Sequence, residues 1–154
     1  MNKVIFMGRT GCGKTTLTQW LNGINLEYQK TQAIEYVGEI IDTPGEYIEN
    51  KSYYTALIVS SYDSDVVALV QDATKEESLF PPKFTAIFNK KIIGVITKID
   101  HEDADIDRAT MHLENAGCET IVQVSAVCNL GMEDLQQALN GNGGPYEKDS
   151  RNSG

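Results

Sequence analysis

GRTGCGKTT, residues 8–16, decides how the rest of the chain is read. It follows the apolar run KVIFM and precedes LTQWL, which has helical spacing. Gly8, Gly13, Lys14 and Thr15 stand in the order G-x-x-x-x-G-K-[ST], between a strand and a helix, which is the context a phosphate-binding loop requires. Taken alone, the stretch is a glycine-rich turn. As a loop of this kind, each residue type has a use. Gly8, Gly11 and Gly13 let the backbone curl so that the N–H groups of Arg9, Thr10, Cys12 and their neighbours through Thr16 face one anion. The helix start adds unpaired donors and a partial positive charge. Lys14 is expected to reach the β- and γ-phosphates, and the Thr15 hydroxyl to ligate Mg²⁺.

Three later segments bear on the nucleotide. Asp42-Thr43-Pro44-Gly45 closes a strand, so Asp42 can hold Mg²⁺ through water and the Gly45 N–H can meet the γ-phosphate. Thr97-Lys98-Ile99-Asp100 follows the apolar run IIGVI. A carboxylate there can accept from both guanine N1 and N2, a donor pair adenine lacks, while the Lys98 stem covers the face of the base. Asp100 can alternatively cap the helix that begins near Ala104. Ser125, Ala126 and Val127 follow the next strand and can offer backbone N–H groups to the guanine O6. All three segments fall at C-terminal ends of strands, where open α/β sheets bind ligands.

The composition suits this reading. The 154 residues fit one domain, and 41% of them are hydrophobic, enough for a core. A net charge of −9 argues against a general nucleic-acid or anionic-membrane binder, since both need a basic field. MNKVIFMGRT has too short an apolar run for a secretory leader, and nothing approaches the roughly 18 apolar residues of a membrane span. Cys12, Cys118 and Cys128 lack metal-type spacing and read as reduced thiols of a cytoplasmic protein.

Apolar strand candidates alternate with helical ones. Strands are expected at Val4–Met7, Ile34–Val37, Glu39–Asp42, Asp65–Gln71, Ile92–Thr97 and Ile121–Val124, with a tight hairpin at Gly38. Helices are expected from Lys14 to Leu21, over Tyr53–Ser61, from Pro81-Pro82 to Phe88, over Ala104–Ala116 and over Met132–Leu139. The strands are apolar throughout, as when both faces are covered. The expected fold is an α/β three-layer P-loop NTPase, small G-protein-like, with a mainly parallel central sheet. It spans residues 1–139, followed by a glycine-rich polar tail, 140–154, with too little to bury to order itself.

The ordered set GRTGCGKT, DTPG, TKID and SA resembles small GTPases of the Ras-like, translation-factor-related class. IDTPGEY, VALVQDAT and IGVITKID are similar to the EutP/PduV family, encoded with bacterial ethanolamine- and propanediol-utilisation systems. The resemblance implies binding of GTP and GDP with Mg²⁺, ATP being the alternative nucleotide. It implies a threonine in the first mobile loop that closes on Mg²⁺ and the γ-phosphate, for which Thr31 is the candidate. It also implies a partner among microcompartment shell proteins or pathway enzymes. Where Ras-like enzymes place a water-orienting glutamine, this chain has Glu46, which donates no hydrogen bond when ionised, so slow hydrolysis is expected. Gly11 stands where related K⁺-dependent enzymes carry asparagine, so no K⁺ activation by that route is expected. Arg9 is expected to point toward neighbouring strands or solvent, and His101 and His112 to be surface residues. Three functions fit: a GTP-hydrolysing switch, a phosphotransferase moving a γ-phosphate to a small carboxylate such as acetate, and a non-catalytic nucleotide-dependent binding module.

Overall fold

The computed structural model describes residues 3–9, 13–14, 16–21, 40–42, 48, 50–78 and 80–139. Five parallel strands form one sheet in the order β2-β1-β3-β4-β5. They are β1 (Val4–Met7), β2 (Ile40–Asp42), β3 (Val66–Asp72), β4 (Lys91–Thr97) and β5 (Thr120–Gln123). Helix α1 includes residues 16–21, and α2 (Tyr54–Ser61), α3 (Ile106–Ala116) and α4 (Met132–Leu139) follow.

Strand alternation sorts the core into two layers. Val4 and Phe6 of β1, Val66, Ala68 and Val70 of β3, and Ile93 and Val95 of β4 pack beneath Leu17 and Leu21 of α1 and Met132 and Leu135 of α4. Ile5, Met7, Val67, Leu69 and Ile96 turn to the other face, against Leu57 of α2 and Ala109 and Leu113 of α3. Every residue of β1 and of β3 is buried, as expected for central strands covered on both sides. The chain leaves β1 for β2 on one side, then returns past β1 to β3, β4 and β5. Right-handed crossovers in opposite directions put α1 on one face and α2 and α3 on the other. The order therefore reverses between β1 and β3, and the crevice at their C-terminal ends is a ligand-binding switch point.

Ile40–Asp42 pairs in parallel with β1; the expected hairpin at Gly38, with its other strand at residues 34–37, lies outside the described residues. Two expectations need correction. Pro81 and Pro82 do not open a helix. Lys83 takes a left-handed φ of 60° after them, and only a 3-10 turn, Phe84–Ile87, follows, with Phe84 buried between Phe80 and Phe88. The helix after the TKID segment begins at Ile106, because the Asp105 side chain accepts from the Arg108 N–H and caps it. Asp100 is thereby left out of the capping role.

Gly131 links β5 to α4 at a φ of 71°, and a Cβ there would run into the Gln123 carbonyl oxygen. The backbone cannot yield without moving β5. Gly131→Ala is expected to lower stability by about 3 kcal/mol, combining left-handed strain with a backbone clash. Urea denaturation checks it, and a midpoint equal to the parent's contradicts it.

Candidate functional site

The described part of the GRTGCGKTT loop brackets the switch point. Gly8 is buried where β1 ends. Gly13 has a φ of 105°, a conformation L side chains avoid, and Thr97 at the end of β4 packs against it, with the Thr97 side chain 3.4 Å from where a Cβ would stand. The reversed backbone is what calls for glycine here; a Cβ would reach only ordinary contact with Thr97. The Leu17 N–H donates to the Gly13 carbonyl at 3.0 Å, which starts α1 at the loop. Lys14 is only 6% exposed, and its Nζ donates to the Gly8 carbonyl at 2.5 Å, arching back over the loop. Thr16 is exposed on the first turn of α1.

Arg9 points away from the loop, as expected. Its guanidinium lies 3.8 Å from the exposed carboxylate of Glu77. Beside it, Arg9, Val70, Gln71, Asp72, Lys75, Glu77 and Phe80 line a cavity of ≈ 10 Å³. Asp42 ends β2 in register with Phe6, on the strand next to the one that feeds the loop. Thr10, Gly11, Cys12, Thr15, Thr31, Gly45 and Glu46 lie outside the described residues.

The TKID and SAV segments meet at the ends of β4 and β5. Lys98 takes a left-handed φ of 63°. The Val124 N–H donates to the Ile96 carbonyl at 2.8 Å, and the Ile99 N–H to the Val124 carbonyl at 3.4 Å, so the TKID turn and the SAV turn are fastened together. Asp100 is exposed, and its carboxyl is held below the usual carboxylate range, chiefly by a hydrogen bond from the buried Ser125 hydroxyl, with the Cys128 side chain and His101 adding to it. Ser125 Oγ also accepts from the Cys128 N–H at 3.1 Å. Ser125 and Leu130 exchange both backbone hydrogen bonds at 2.9 Å, closing the loop between them. Ala126 is half-buried in that loop and Val127 is 87% exposed.

One participant had no role in the sequence reading. Asp72, 2% exposed, ends β3 beside Thr97. Its Oδ1 accepts from the N–H and hydroxyl of Thr74 at 2.8 and 2.6 Å, and its Oδ2 lies 2.9 Å from Lys98 Nζ. Burial alone would raise its pKa, but the Thr74 and Lys98 contacts outweigh that and hold the carboxyl below its usual range. The signal was present: Asp72 is the one charge in the run VVALVQD, and a carboxylate ending a buried strand needs a partner.

His101 and His112 serve local contacts. His101 Nδ1 accepts from the Asp103 N–H, and His112 Nε2 lies 2.8 Å from the Glu76 carbonyl. No cluster of three or more metal-ligating side chains occurs among the described residues. Trp20 packs against the first core layer, and Tyr54 against Phe84 in the second. No helix among the described residues is long and apolar enough to cross a membrane.

A parallel sheet with a glycine-lysine turn from β1 into α1 at its switch point defines the P-loop class of α/β folds, in its small G-protein-like form. Within that class, the chain belongs to the family described as ethanolamine utilisation - propanediol utilisation, whose model matches residues 1–141. The propanediol utilization protein PduV of Citrobacter freundii is 40% identical over 141 residues, covering 91% of this chain and 94% of that protein. The probable acetate kinase EutP of Escherichia coli K12 is 39% identical over 121 residues, 77% of this chain and 76% of that protein. Elongation factor 4 of Mesoplasma florum is 31% identical over 140 residues, 86% of this chain but only 23% of the longer factor.

Proposed function

We propose that this protein is a Mg²⁺-dependent guanine-nucleotide-binding protein that hydrolyses GTP slowly, in the service of ethanolamine or propanediol utilisation and its bacterial microcompartment. The observation that carries the reading is the packing of Thr97 on Gly13. It joins the Lys14 loop to the segment that bears Asp100, so a phosphate site and a base site share one edge of the sheet. The donor set suits a nucleotide. Asp100 is kept ionised and can accept from guanine N1 and N2. Lys14 can leave the Gly8 carbonyl for phosphate oxygens. Thr15, Thr31 and Asp42 would hold Mg²⁺, which supplies charge neutralisation at the transferring phosphate. Within this reading, Lys14 and the Gly45 N–H stabilise the γ-phosphate, and Glu46 in place of a glutamine leaves the attacking water poorly oriented.

A second reading has one observation in its favour: relatives 36–39% identical carry the name probable acetate kinase EutP. In it, a small carboxylate replaces water as acceptor. Hydrolysis is the first reading, because water needs no dedicated acceptor site while positioning and charge neutralisation serve both reactions. Product analysis separates them. With Mg²⁺-GTP, inorganic phosphate alone, with or without acetate, is the expected result; acetyl phosphate formed when acetate is added would establish the transferase instead.

A further inference from the structure

Lys98 and Asp72 are on different loops, yet each fixes the other. Lys98 leaves β4 in a left-handed conformation that non-glycine residues seldom hold, and such backbone persists where its surroundings over-determine it. The surroundings here are specific. The Ala73 N–H donates to the Thr97 carbonyl at 3.0 Å, and the Asp105 N–H to the Ala73 carbonyl at 2.8 Å, so the turn after β3 is stitched to the start of the TKID segment and, by the second bond, to the cap of the helix that follows it. From the same turn, Thr74 clamps one carboxylate oxygen of Asp72 and leaves the other beside Lys98 Nζ. The lysine side chain therefore crosses from the end of β4 to the end of β3, along the sheet edge that also carries Lys14. Its side chain is 41% exposed while that of Asp72 is 2% exposed. The ammonium is tied down and the stem keeps an open side.

We propose that Asp72 is a positioning residue for nucleotide binding: it holds Lys98 extended so that the aliphatic stem is a ready-made floor for the purine ring. This rests on the nucleotide reading above and deepens it. A free lysine samples many rotamers, and ordering it on binding costs affinity that prior anchoring saves. The anchor also keeps the Lys98 charge on Asp72, so that the stem and not the ammonium meets the base. Thr74 is a part of the device, because without its two hydrogen bonds the carboxylate could turn away.

The test is the dissociation rate of a fluorescent GDP from the full chain and its Asp72→Asn, Lys98→Met, Thr74→Ala and Asp72→Asn/Lys98→Met variants. Asp72→Asn is expected to release nucleotide about tenfold faster, and Thr74→Ala about threefold faster, from loss of preorganisation. Because Asp72 acts through Lys98, the double variant should release it no faster than Lys98→Met alone. The double variant removes both charges together, and Thr74→Ala removes only the hydroxyl's hydrogen bond to Asp72 while keeping the backbone N–H bond and both charges, so both remain informative if Asp72→Asn fails to fold. Unchanged release from Thr74→Ala and Asp72→Asn, in a parent that binds GDP, overturns the proposal alone. Additive acceleration in the double variant also overturns it, by showing a general structural effect. A parent that binds neither GDP nor ATP overturns the nucleotide reading, and this proposal with it.

Discussion

Lys14→Ala is expected to weaken GTP and GDP binding by at least about 10²-fold, since a charged hydrogen bond to phosphate contributes roughly 1.5–3 kcal/mol and Lys14 is placed to make more than one. Lys14 is 6% exposed, and its Nζ donates to the Gly8 carbonyl, at the start of the loop it would serve. A lysine so enclosed has given up most of its hydration. Removing it should therefore cost binding far more than it costs folding. Equilibrium titration with a fluorescent nucleotide, beside a thermal melt, reads both. Affinity within threefold of the parent, with the fold intact, would show that Lys14 does not face the phosphates.

Asp100→Asn carries the second large expectation. An ionised carboxylate accepts from guanine N1–H and N2–H; asparagine has one acceptor and one donor, which suits xanthine, where an oxygen replaces the 2-amino group. Guanine nucleotide affinity should fall about 10²–10³-fold, the equivalent of losing one or two charge-assisted bonds, and xanthine nucleotide binding should appear. Because the Ser125 hydroxyl holds the Asp100 carboxyl below the ordinary range, the parent should keep its guanine preference into mildly acidic buffer. The preference should fade only as pH falls through that lowered pKa and the carboxylate takes up a proton. Competition of GTP, ATP and XTP for one fluorescent probe, across pH, measures it. Equal affinity of the parent for GTP and ATP would remove Asp100 from the base site.

Residues with a strong local reason for their conformation were legible in the sequence. Val4–Met7 and VVALVQD are apolar on both faces and could only be central strands. Gly13 before Lys14 announced the turn that Thr97 now closes on. Features decided by tertiary contact were not legible. The Pro81-Pro82 pair has the chemistry of a helix start. Instead Lys83, whose N–H donates to the Asn115 carbonyl, turns left-handed, and the three phenylalanines decide the path. Asp100 is a good cap on paper, but the Asp105 side chain accepts from the Arg108 N–H and takes that role, with its own N–H held by the Ala73 carbonyl. β5 begins at Thr120, one residue before the apolar run that marked it, because register with β4 sets its start. The Asp72–Lys98 pair spans two loops, and no spacing rule connects them. Family membership was legible in IDTPGEY, VALVQDAT and IGVITKID, and the match over residues 1–141 bears it out.

The clasp between Ser125 and Leu130 has an evolutionary consequence. Its two backbone bonds and the crowded Gly131 behind it pin both ends of a four-residue span, 126–129, whose side chains are largely in solvent. The length of that span is constrained by the fold, and so is part of its composition: Asn129 holds a left-handed φ of 57°, Ala126 packs against the first core layer, and the Cys128 side chain helps to hold the Asp100 carboxyl. Val127, 87% exposed, is the position that can change over generations without shifting β5, α4 or the Ser125 hydroxyl.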